Sequence, residues 1–245
     1  MPILVNNWEK IWNKRTFDFD VLKTNDDEKI FKELKRANGF DVVNDGLSYL
    51  SLIGQHNEIK ANFAEAFEDK DFSRIKSIYE VGCGSGGNLY LFNKAGLKVG
   101  GCDYSHPLTE AARKALKSDD ILCASADKIL ETPVYDVVLS NSVFSYFPDS
   151  DYANRVLEIM YNKCRFAIGL IDIHDADKKE AFIKYRRATV EDYENRYKNL
   201  PKFFYDKKFF IDFAQKHNMR IVFKNSNVEG YWNNDFIFNC YMYKK

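Results

Sequence analysis

A glycine-rich stretch with an acid in front of it is the part of this sequence best suited to chemistry. Glu80 precedes Gly82, Gly84, Gly86 and Gly87, and a short apolar run comes directly before the first glycine. Glycines at this density let the backbone turn with unusual dihedrals and approach a ligand closely. A helix that begins at the last glycine offers free N–H groups to a carboxylate, phosphate or hydroxyl. The stretch therefore predicts a strand, a ligand-binding turn and a helix N-terminus.

A second acid follows at the distance expected of a site that binds a nucleoside. Asp103 lies 21 residues after Gly82 and ends a second apolar run. In dinucleotide-binding folds, a carboxylate at this place accepts hydrogen bonds from the ribose hydroxyls. Asp103 could instead cap the helix that follows, although Ser105 suits that role better. The glycine turn and the acid together predict a cofactor that carries a ribose.

Two further positions have side chains that could act on a second ligand. His174 follows an apolar strand, at the end where parallel sheets bind ligands, and a histidine can take a proton near neutral pH. The alternative is a solvated or helix-capping pair with Asp175. Arg186 and Arg187 could hold a phosphate or carboxylate, and a solvated helix face is the alternative there. His174 is thus the predicted catalytic base, and Arg186 is a predicted contact to the second ligand.

Composition limits the kinds of protein that this chain can be. It has 245 residues with 36 basic and 36 acidic side chains, so the formal net charge is zero. This length fits one α/β domain with an extension, and zero net charge argues against a protein that grips nucleic acid by its phosphates. No apolar run approaches the roughly 20 residues that span a bilayer, and residues 1–10 lack a signal-peptide core. We therefore predict a cytoplasmic protein without nucleic-acid or membrane partners.

The cysteines and histidines do not predict a metal site. The five cysteines contain no C-x-x-C pair, and the four histidines are scattered along the chain. Both observations argue against a structural zinc site. Most of the cysteines have the character of small buried residues, and Cys83 would contact a ligand only because the glycine turn does.

From residue 75 onward, the sequence alternates short apolar runs with amphipathic runs. This alternation is typical of a parallel sheet with helices on both faces. Five strands are expected before residue 172, and two more lie near the end of the chain. The short connection between these last two strands predicts antiparallel neighbours. A long charged insertion, residues 173–202, separates the fifth strand from the last helix.

Residues 1–72 precede the alternating pattern and predict helices. Trp8, Ile11 and Trp12 are spaced i, i+3 and i+4, which places them on one face of a helix. The segments 26–35 and 47–67 also have helical periodicity. The first stretch of the chain is therefore expected to be a helical extension, and residues 73–245 are expected to form the main domain.

The motifs resemble those of class I S-adenosylmethionine (SAM) methyltransferases. Residues 80–86 resemble the family's acid-x-Gly-x-Gly-x-Gly loop, and residues 101–105 resemble its G-x-D-x-S motif. Two rival classes remain open. An NAD(P)-dependent oxidoreductase shares the glycine spacing, but Glu80 and the closing pair of strands count against it. A non-catalytic SAM-binding protein of the same fold is the other alternative.

The resemblance implies a fold, a cofactor and a set of cofactor contacts. The fold is Rossmann-like, with a mostly parallel seven-stranded sheet, an antiparallel last strand and an N-terminal helical cap over the active site. The cofactor is SAM, and the product is S-adenosylhomocysteine (SAH). The implied cofactor-binding residues are Glu80, Gly82, Cys83, Gly84, Asp103, Tyr104, Ser125, Ala126, Asp127 and Asn141.

The resemblance also suggests what several of these contacts do. Tyr104 would pack on the adenine, and Asn141 would meet the amino group of SAM. Ser125 and Asp127 would help to read the adenine edge, although helix capping explains those two residues nearly as well.

The acceptor of the methyl group is implied to be a small molecule. The resemblance suggests Tyr49, His56, Phe144 and Tyr146 as acceptor contacts in addition to Arg186, and core packing is the alternative for the aromatic residues. The loop after the fourth strand lacks the Asn/Asp-Pro-Pro-Tyr/Phe motif of enzymes that methylate amino groups, so a nucleobase acceptor is less expected. Enzymes of similar layout modify sugars or nucleotide-linked precursors of bacterial surface polysaccharides, which makes such a precursor the expected acceptor.

Overall fold

The structure is a computed structural model that describes residues 7–40, 42 and 46–245. The helices of these residues are α1 (Trp8–Trp12), α2 (Asp27–Ala37), α3 (Tyr49–Ala64), α4 (Gly87–Lys94), α5 (His106–Leu116), α6 (Ser150–Lys163), α7 (Lys179–Thr189), α8 (Tyr193–Arg196) and α9 (Lys207–Lys216). The strands are β1 (Ser77–Val81), β2 (Lys98–Asp103), β3 (Ile121–Cys123), β4 (Tyr135–Asn141), β5 (Cys164–His174), β6 (Arg220–Asn225) and β7 (Ile237–Tyr243). None of the described helices is both long and apolar enough to cross a membrane.

The seven strands form one sheet in the order β3-β2-β1-β4-β5-β7-β6. The first five strands are parallel, and β7 lies antiparallel between β5 and β6. This confirms the predicted mostly parallel sheet with an antiparallel last strand. The strand order reverses between β1 and β4, and such a switch point leaves a ligand crevice outside the carboxyl ends of the strands.

Side chains that alternate along the strands form an apolar layer on each face of the sheet. Ile78 and Val137 face the layer that holds α2 to α5, whereas Tyr79 and Val138 face the layer that holds α6 and α9. Successive strand residues point to opposite faces, so a strand buried on both faces is apolar at nearly every position. The two layers fix the sheet and leave its carboxyl edge free to build a site.

Helix α3 covers the sheet instead of the switch point. Phe63 packs edge-on against Tyr241, with ring centroids 5.9 Å apart. A Cβ atom at Gly169 would come within 2.9 Å of the Phe63 ring, so only glycine lets the helix approach β5 this closely. Tyr243 on β7 also donates a hydrogen bond of 2.9 Å to the carbonyl of Asn62. This part of the extension therefore completes the helical layer over β5 and β7.

Helix α2 ends against the glycine turn. Asn38 follows the last helical residue, and its Oδ1 atom accepts hydrogen bonds from Ser85 N at 2.6 Å and Ser85 Oγ at 2.8 Å. Asn38 Nδ2 also donates a hydrogen bond of 3.3 Å to the carbonyl of Cys83. The extension and the main domain are thus joined at the turn itself.

Strand β5 is longer than its apolar run predicts. The sequence indicates a strand that ends near residue 171, but pairing with β7 continues through Ile173 and His174. The antiparallel neighbour supplies hydrogen-bond partners beyond the point where the parallel neighbour β4 ends. The predicted insertion therefore begins inside β5, and half of its length forms α7 and α8.

Candidate active site

A cavity of about 1230 Å³ lies at the carboxyl ends of the strands. A pocket for one drug-sized ligand has roughly 300–1,000 Å³, so this cavity has room for more than one small molecule. Many of the predicted site residues line it: Gly82, Gly84, Asp103, Tyr104, Ser125, Ala126, Asn141, Tyr146, His174 and Arg186. Residues that are far apart in the sequence are therefore brought together around one space.

The glycine turn uses the conformational freedom that its composition predicts. Gly82 has φ +75° and Gly84 has φ +53°, in the region that side chains rarely adopt. A Cβ atom at Gly82 would lie 2.3 Å from Val143, and one at Gly84 would lie 2.2 Å from Asn38 Oδ1. The glycines are thus required because the turn packs tightly against the loop after β4 and the end of α2. Gly82 and Gly84 still line the cavity.

Asp103 lies beside the glycine turn at the end of β2. Its Oδ2 atom accepts a hydrogen bond of 3.0 Å from Gly84 N, and its Oδ1 atom accepts one of 2.8 Å from Ser105 N. Burial raises the pKa of this carboxyl to about 6. Each carboxylate oxygen keeps capacity for another hydrogen bond, so the group can accept two adjacent hydroxyls such as those of a ribose. The hydroxyl of Ser105 donates to the carbonyl of Trp12 at 3.1 Å and does not cap α5.

Glu80 lies beneath the cavity and does not line it. Glu80 Oε1 accepts a hydrogen bond of 2.5 Å from Asn88 Nδ2, and Lys35 Nζ donates one of 2.6 Å to Asn88 Oδ1. Burial raises the pKa of Glu80 and lowers that of Lys35. Among the described residues, no group donates to Glu80 Oε2, although that oxygen is buried. Asn88 and Asn141 line the cavity above this pair, and their amide oxygens can accept hydrogen bonds from a cationic ligand group.

Two other predicted cofactor residues also lie outside the cavity. Cys83 is fully buried, and its Cβ atom lies against Gly101, so only its backbone belongs to the turn. Asp127 accepts a hydrogen bond of 3.2 Å from the hydroxyl of Tyr152 and forms an ion pair with Lys128. The structure therefore gives Cys83 a packing environment and Asp127 protein partners of its own.

Three predicted acceptor residues lie elsewhere as well. Tyr49 and His56 belong to α3, which covers the sheet, and His56 packs against Phe92 with ring centroids 4.4 Å apart. Burial and nearby lysines lower the pKa of His56 to about 4. Phe144 is fully buried against Tyr205 and other aromatic residues. Their surroundings are those of core residues.

Another part of the cavity has aromatic walls. Trp8 lies edge-on to Tyr146 with ring centroids 4.8 Å apart, and Trp8 Nε1 donates a hydrogen bond of 2.8 Å to the carbonyl of Pro201. Aromatic residues from four other regions complete these walls: Phe182, Tyr197, Phe204, Tyr231 and Trp232. We call this space, with Tyr146 and Trp8 at its edge, the aromatic compartment. Such walls favour a flat, apolar ligand.

Three cationic side chains line the aromatic compartment. Lys179 and Arg186 share one face of α7 with Phe182, and Lys202 is the last residue of the insertion. Within the described part of the chain, no carboxylate lies within 4.0 Å of these cations. Arg186 donates a hydrogen bond of 2.6 Å to the Tyr197 hydroxyl. The sequence predicted Arg186 as a contact, whereas nothing in the local pattern singled out the two lysines.

His174 lies at the end of β5 in this compartment and is only 2% exposed. Its ring packs between Phe182 and Phe204, with centroid distances of 4.9 and 5.1 Å. Burial, followed by the positive charges of Lys202 and Arg186, holds the pKa of His174 well below its usual value. The imidazole is therefore neutral near pH 7.

Other residues in the site carry no signal in the local sequence. Asn38 and Gly39 indicate only the end of a helix, yet both line the cavity. Tyr231 and Asn233 belong to the connection between β6 and β7, which the sequence presents as an ordinary loop. Among the described residues, no cluster of three histidines, cysteines or acids could hold a metal ion.

The switch-point cavity, the glycine turn and the acid at the end of β2 define a class of protein. Together with an antiparallel strand inserted into a parallel sheet, they are the features of class I SAM-dependent methyltransferases. The sequence agrees, because a family model described as a methyltransferase domain matches residues 79–165. Residues 79–165 therefore carry a methyltransferase domain, and SAM is the cofactor of that class of enzyme.

Solved structures with the same fold are distant in sequence. A magnesium protoporphyrin IX methyltransferase from Synechocystis PCC 6803, crystallised with SAH, is 12% identical with a TM-score of 0.59 over 90% of this chain and 100% of its own. The plantazolicin methyltransferase BpumL, in complex with a substrate analogue and SAH, is 13% identical with a TM-score of 0.61 over 98% and 100%. No curated protein sequence gave a significant match. These likenesses show the fold and leave the acceptor of this chain open.

Proposed function

We propose that this chain transfers a methyl group from SAM to a small molecule bound in the aromatic compartment. The observation that carries the proposal is a single cavity lined by the glycine turn and Asp103 and also by the aromatic compartment. A methyltransferase needs two ligands in contact, and most of its rate comes from holding them in line at short distance. The volume and the two kinds of wall suit this arrangement.

We assign the cofactor to the half of the cavity next to the glycine turn. Asp103 is proposed to accept hydrogen bonds from the ribose hydroxyls, since both of its oxygens are already aligned by backbone N–H groups. Tyr104, Ser125 and Ala126 are proposed to border the adenine. The ammonium group of SAM is assigned to the amide oxygens of Asn88 and Asn141, above the buried side chain of Glu80.

The extension of residues 1–72 is proposed to close the site with two of its helices. Helix α1 contributes Trp8 and Trp12, and the end of α2 contributes Asn38. Helix α3 lies over the sheet and takes no part in the closure. Residues 1–6 lie outside the described residues.

The protein's own contribution is binding, orientation and exclusion of water. SAM supplies an electrophilic methyl group when it is bound. The aromatic walls would hold a flat acceptor against the cofactor half of the cavity, and the closing helices would keep water from the reacting atoms. Methyl transfer by binding and orientation requires no metal ion and no covalent intermediate on the protein.

The walls of the compartment favour an aromatic acceptor over the expected polysaccharide precursor. The two structural neighbours above are named for a porphyrin and for plantazolicin, so neither supports a precursor of that kind. Seven aromatic side chains line the compartment, and they offer stacking surfaces to a flat molecule. We therefore propose a small acceptor with an aromatic or other flat apolar body.

Binding measurements test the cofactor assignment directly. Isothermal titration should show that SAH binds and that NAD⁺ does not. Asp103→Ala should weaken SAH binding by about 1–3 kcal/mol, the scale of hydrogen bonds to a charged group. Asp119→Ala removes an exposed acid from the same region and should leave the affinity unchanged. Binding of NAD⁺ without SAH would show that the chain is not a methyltransferase.

A further inference from the structure

A carboxylate at the end of β5 controls the hydrogen bonding around His174. Asp172 is 4% exposed and has φ +60° at an irregular point of the strand. Its Oδ2 atom accepts a hydrogen bond of 2.6 Å from the Tyr231 hydroxyl and a shorter one from Ser142. Its Oδ1 atom accepts one of 2.9 Å from Asn233 Nδ2. A carboxylate only accepts, so Asp172 fixes which end of the Asn233 amide faces it.

The orientation of Asn233 then decides which ring nitrogen of His174 carries the proton. Asn233 Nδ2 lies 3.3 Å from His174 Nε2, and an amide nitrogen can only donate. Nε2 must therefore accept. A neutral imidazole that accepts at Nε2 is protonated at Nδ1. His174 consequently presents an N–H donor where a general base would need a free electron pair.

The donor at Nδ1 has no acceptor within the described part of the protein. His174 Nδ1 is buried without a hydrogen-bond partner, although the residue lines the cavity. An unpaired buried donor costs free energy, and a ligand oxygen would relieve that cost. Asn233 Oδ1 is also buried and unpartnered, so the structure leaves two polar atoms of this group for a ligand or water to satisfy.

The surroundings of this donor favour a negative charge. Arg186 and Lys202 act on His174 as positive charges, and Lys179 lies on the same face of α7 as Arg186. These cations interact with aromatic rings: Arg186 lies 4.6 Å from the centroid of Trp232, and Lys202 lies 4.2 Å from that of Tyr146. Asp172, two residues before His174, already accepts three hydrogen bonds, and the adjacent Asp175 forms an ion pair of 3.2 Å with Lys207. An anion is therefore the group that these side chains still lack.

We infer that the acceptor is an aromatic or other flat carboxylic acid, and that His174 binds its carboxylate as a hydrogen-bond donor through Nδ1–H. Arg186 and Lys202 supply the balancing charge, and the aromatic walls hold the body of the molecule. This role replaces the general base that the sequence predicted at His174. The inference rests on the proposed function, because it describes the second ligand of the same cavity.

A matched pair of probes separates charge from shape. 2-Naphthoate and 2-naphthamide share one ring system, and only the first is an anion. Calorimetry on the SAH-loaded protein should show that the naphthoate binds at least tenfold more tightly, since a hydrogen bond to a charged group contributes roughly that factor. Equal binding of the two probes, or no binding of the naphthoate, would overturn the inference.

Two substitutions of His174 separate a donor from a base. The amide nitrogen of asparagine can replace Nδ1–H, so His174→Asn should keep naphthoate affinity within about threefold, whereas His174→Ala should lose about tenfold. SAH affinity should stay unchanged in both variants and serves as the control for folding. Equal losses in the two variants would remove the donor role.

The tautomer can be observed without any ligand. Nitrogen-15 NMR of the His174 ring should show a neutral imidazole protonated at Nδ1 throughout pH 6–8. Protonation at Nε2 would overturn the assignment. Failure of the protein to bind SAH would refute the proposed function alone, because the naphthoate titration and the ring spectrum can both be recorded on the free protein.

Discussion

Asp103 illustrates how burial changes the working range of a single side chain. Its two backbone hydrogen bonds favour the charged form, but desolvation dominates and raises the pKa to about 6. A carboxyl group with a pKa of about 6 is mostly protonated at pH 5 and mostly ionised at pH 7. The form that can accept hydrogen bonds from two hydroxyls therefore appears only as the pH rises through about 6.

This property predicts a pH dependence of cofactor binding. The affinity for SAH should increase between pH 5 and pH 7 in the wild-type protein, because ionised Asp103 accepts both ribose hydroxyls. Asp103→Asn should weaken binding at pH 7 by about 1–3 kcal/mol and should make the affinity nearly independent of pH in this range. Titration calorimetry at pH 5, 6 and 7 measures both effects. A variant that keeps the wild-type pH profile would assign the dependence to another group.

At the scale of elements, the contact between α2 and the glycine turn determines which neighbour a side chain added in the turn would meet first. A side chain at Gly84 is expected from the sequence to fill the space of the ligand. In the structure, the added Cβ atom lies 2.2 Å from Asn38 Oδ1, so the first clash is with α2. Such a substitution would displace the extension and would reach the ligand only indirectly.

A double-mutant cycle distinguishes these two effects. Gly84→Ala should weaken SAH binding strongly in the wild-type background, because the turn and Asn38 cannot both keep their positions. The same substitution should cost less in Asn38→Ala, where the clashing oxygen is absent and mainly the strain of φ +53° remains. Asn25→Ala, which changes an exposed asparagine before α2, provides the control background. Equal costs in all backgrounds would mean that the methyl group meets the ligand itself.

At the scale of the whole molecule, distant parts of the chain meet over the aromatic compartment. Trp8 donates a hydrogen bond to Pro201 across 193 residues of sequence, and its ring lies 6.4 Å from that of Tyr197. The connection between β6 and β7 reaches the same space with Tyr231 and Trp232. The compartment thus depends on contacts between segments that are far apart in the sequence.

This arrangement predicts that the two halves of the cavity can be separated by mutation. Trp8→Ala should lower the affinity for 2-naphthoate by about tenfold and should speed proteolysis of residues 197–202, because it removes a hydrogen bond and the packing of a large ring. SAH affinity should stay within about twofold. Leu50→Ala, at a residue that is 75% exposed, is the control. An equal loss of SAH and naphthoate binding would show that α1 closes both halves together.

Much of the fold could be predicted because its signals are local. The alternation from residue 75 onward predicts strands and helices, and the glycines with Asp103 indicate the ligand end of the sheet. Both depend on properties of short segments: apolar periodicity, backbone freedom at glycine and the distance between a turn and the next strand end. The observed strands and the antiparallel β7 confirm the predicted fold.

The acceptor side of the site could not be predicted in the same way. The roles of α3 and α2 depend on which surface each helix covers, and similar amphipathic patterns suit either surface. Tyr49 and His56 were predicted in the site because they belong to the extension, but α3 buries its apolar side chains against β5 and β7. Asn38 lies in the site because α2 ends against the glycine turn.

The position of His174 can be predicted from the sequence, whereas its chemistry depends on the tertiary structure. By itself, the sequence determined only that a histidine lies at or near the end of an apolar strand, at the ligand edge of a parallel sheet. Its chemistry depends on Asp172 and Asn233, on cations from the insertion and on burial among aromatic rings. Only the tertiary structure brings these groups together, because the proton of an imidazole is placed by its neighbours in space. A residue that the sequence predicts as a base is thereby proposed as a donor.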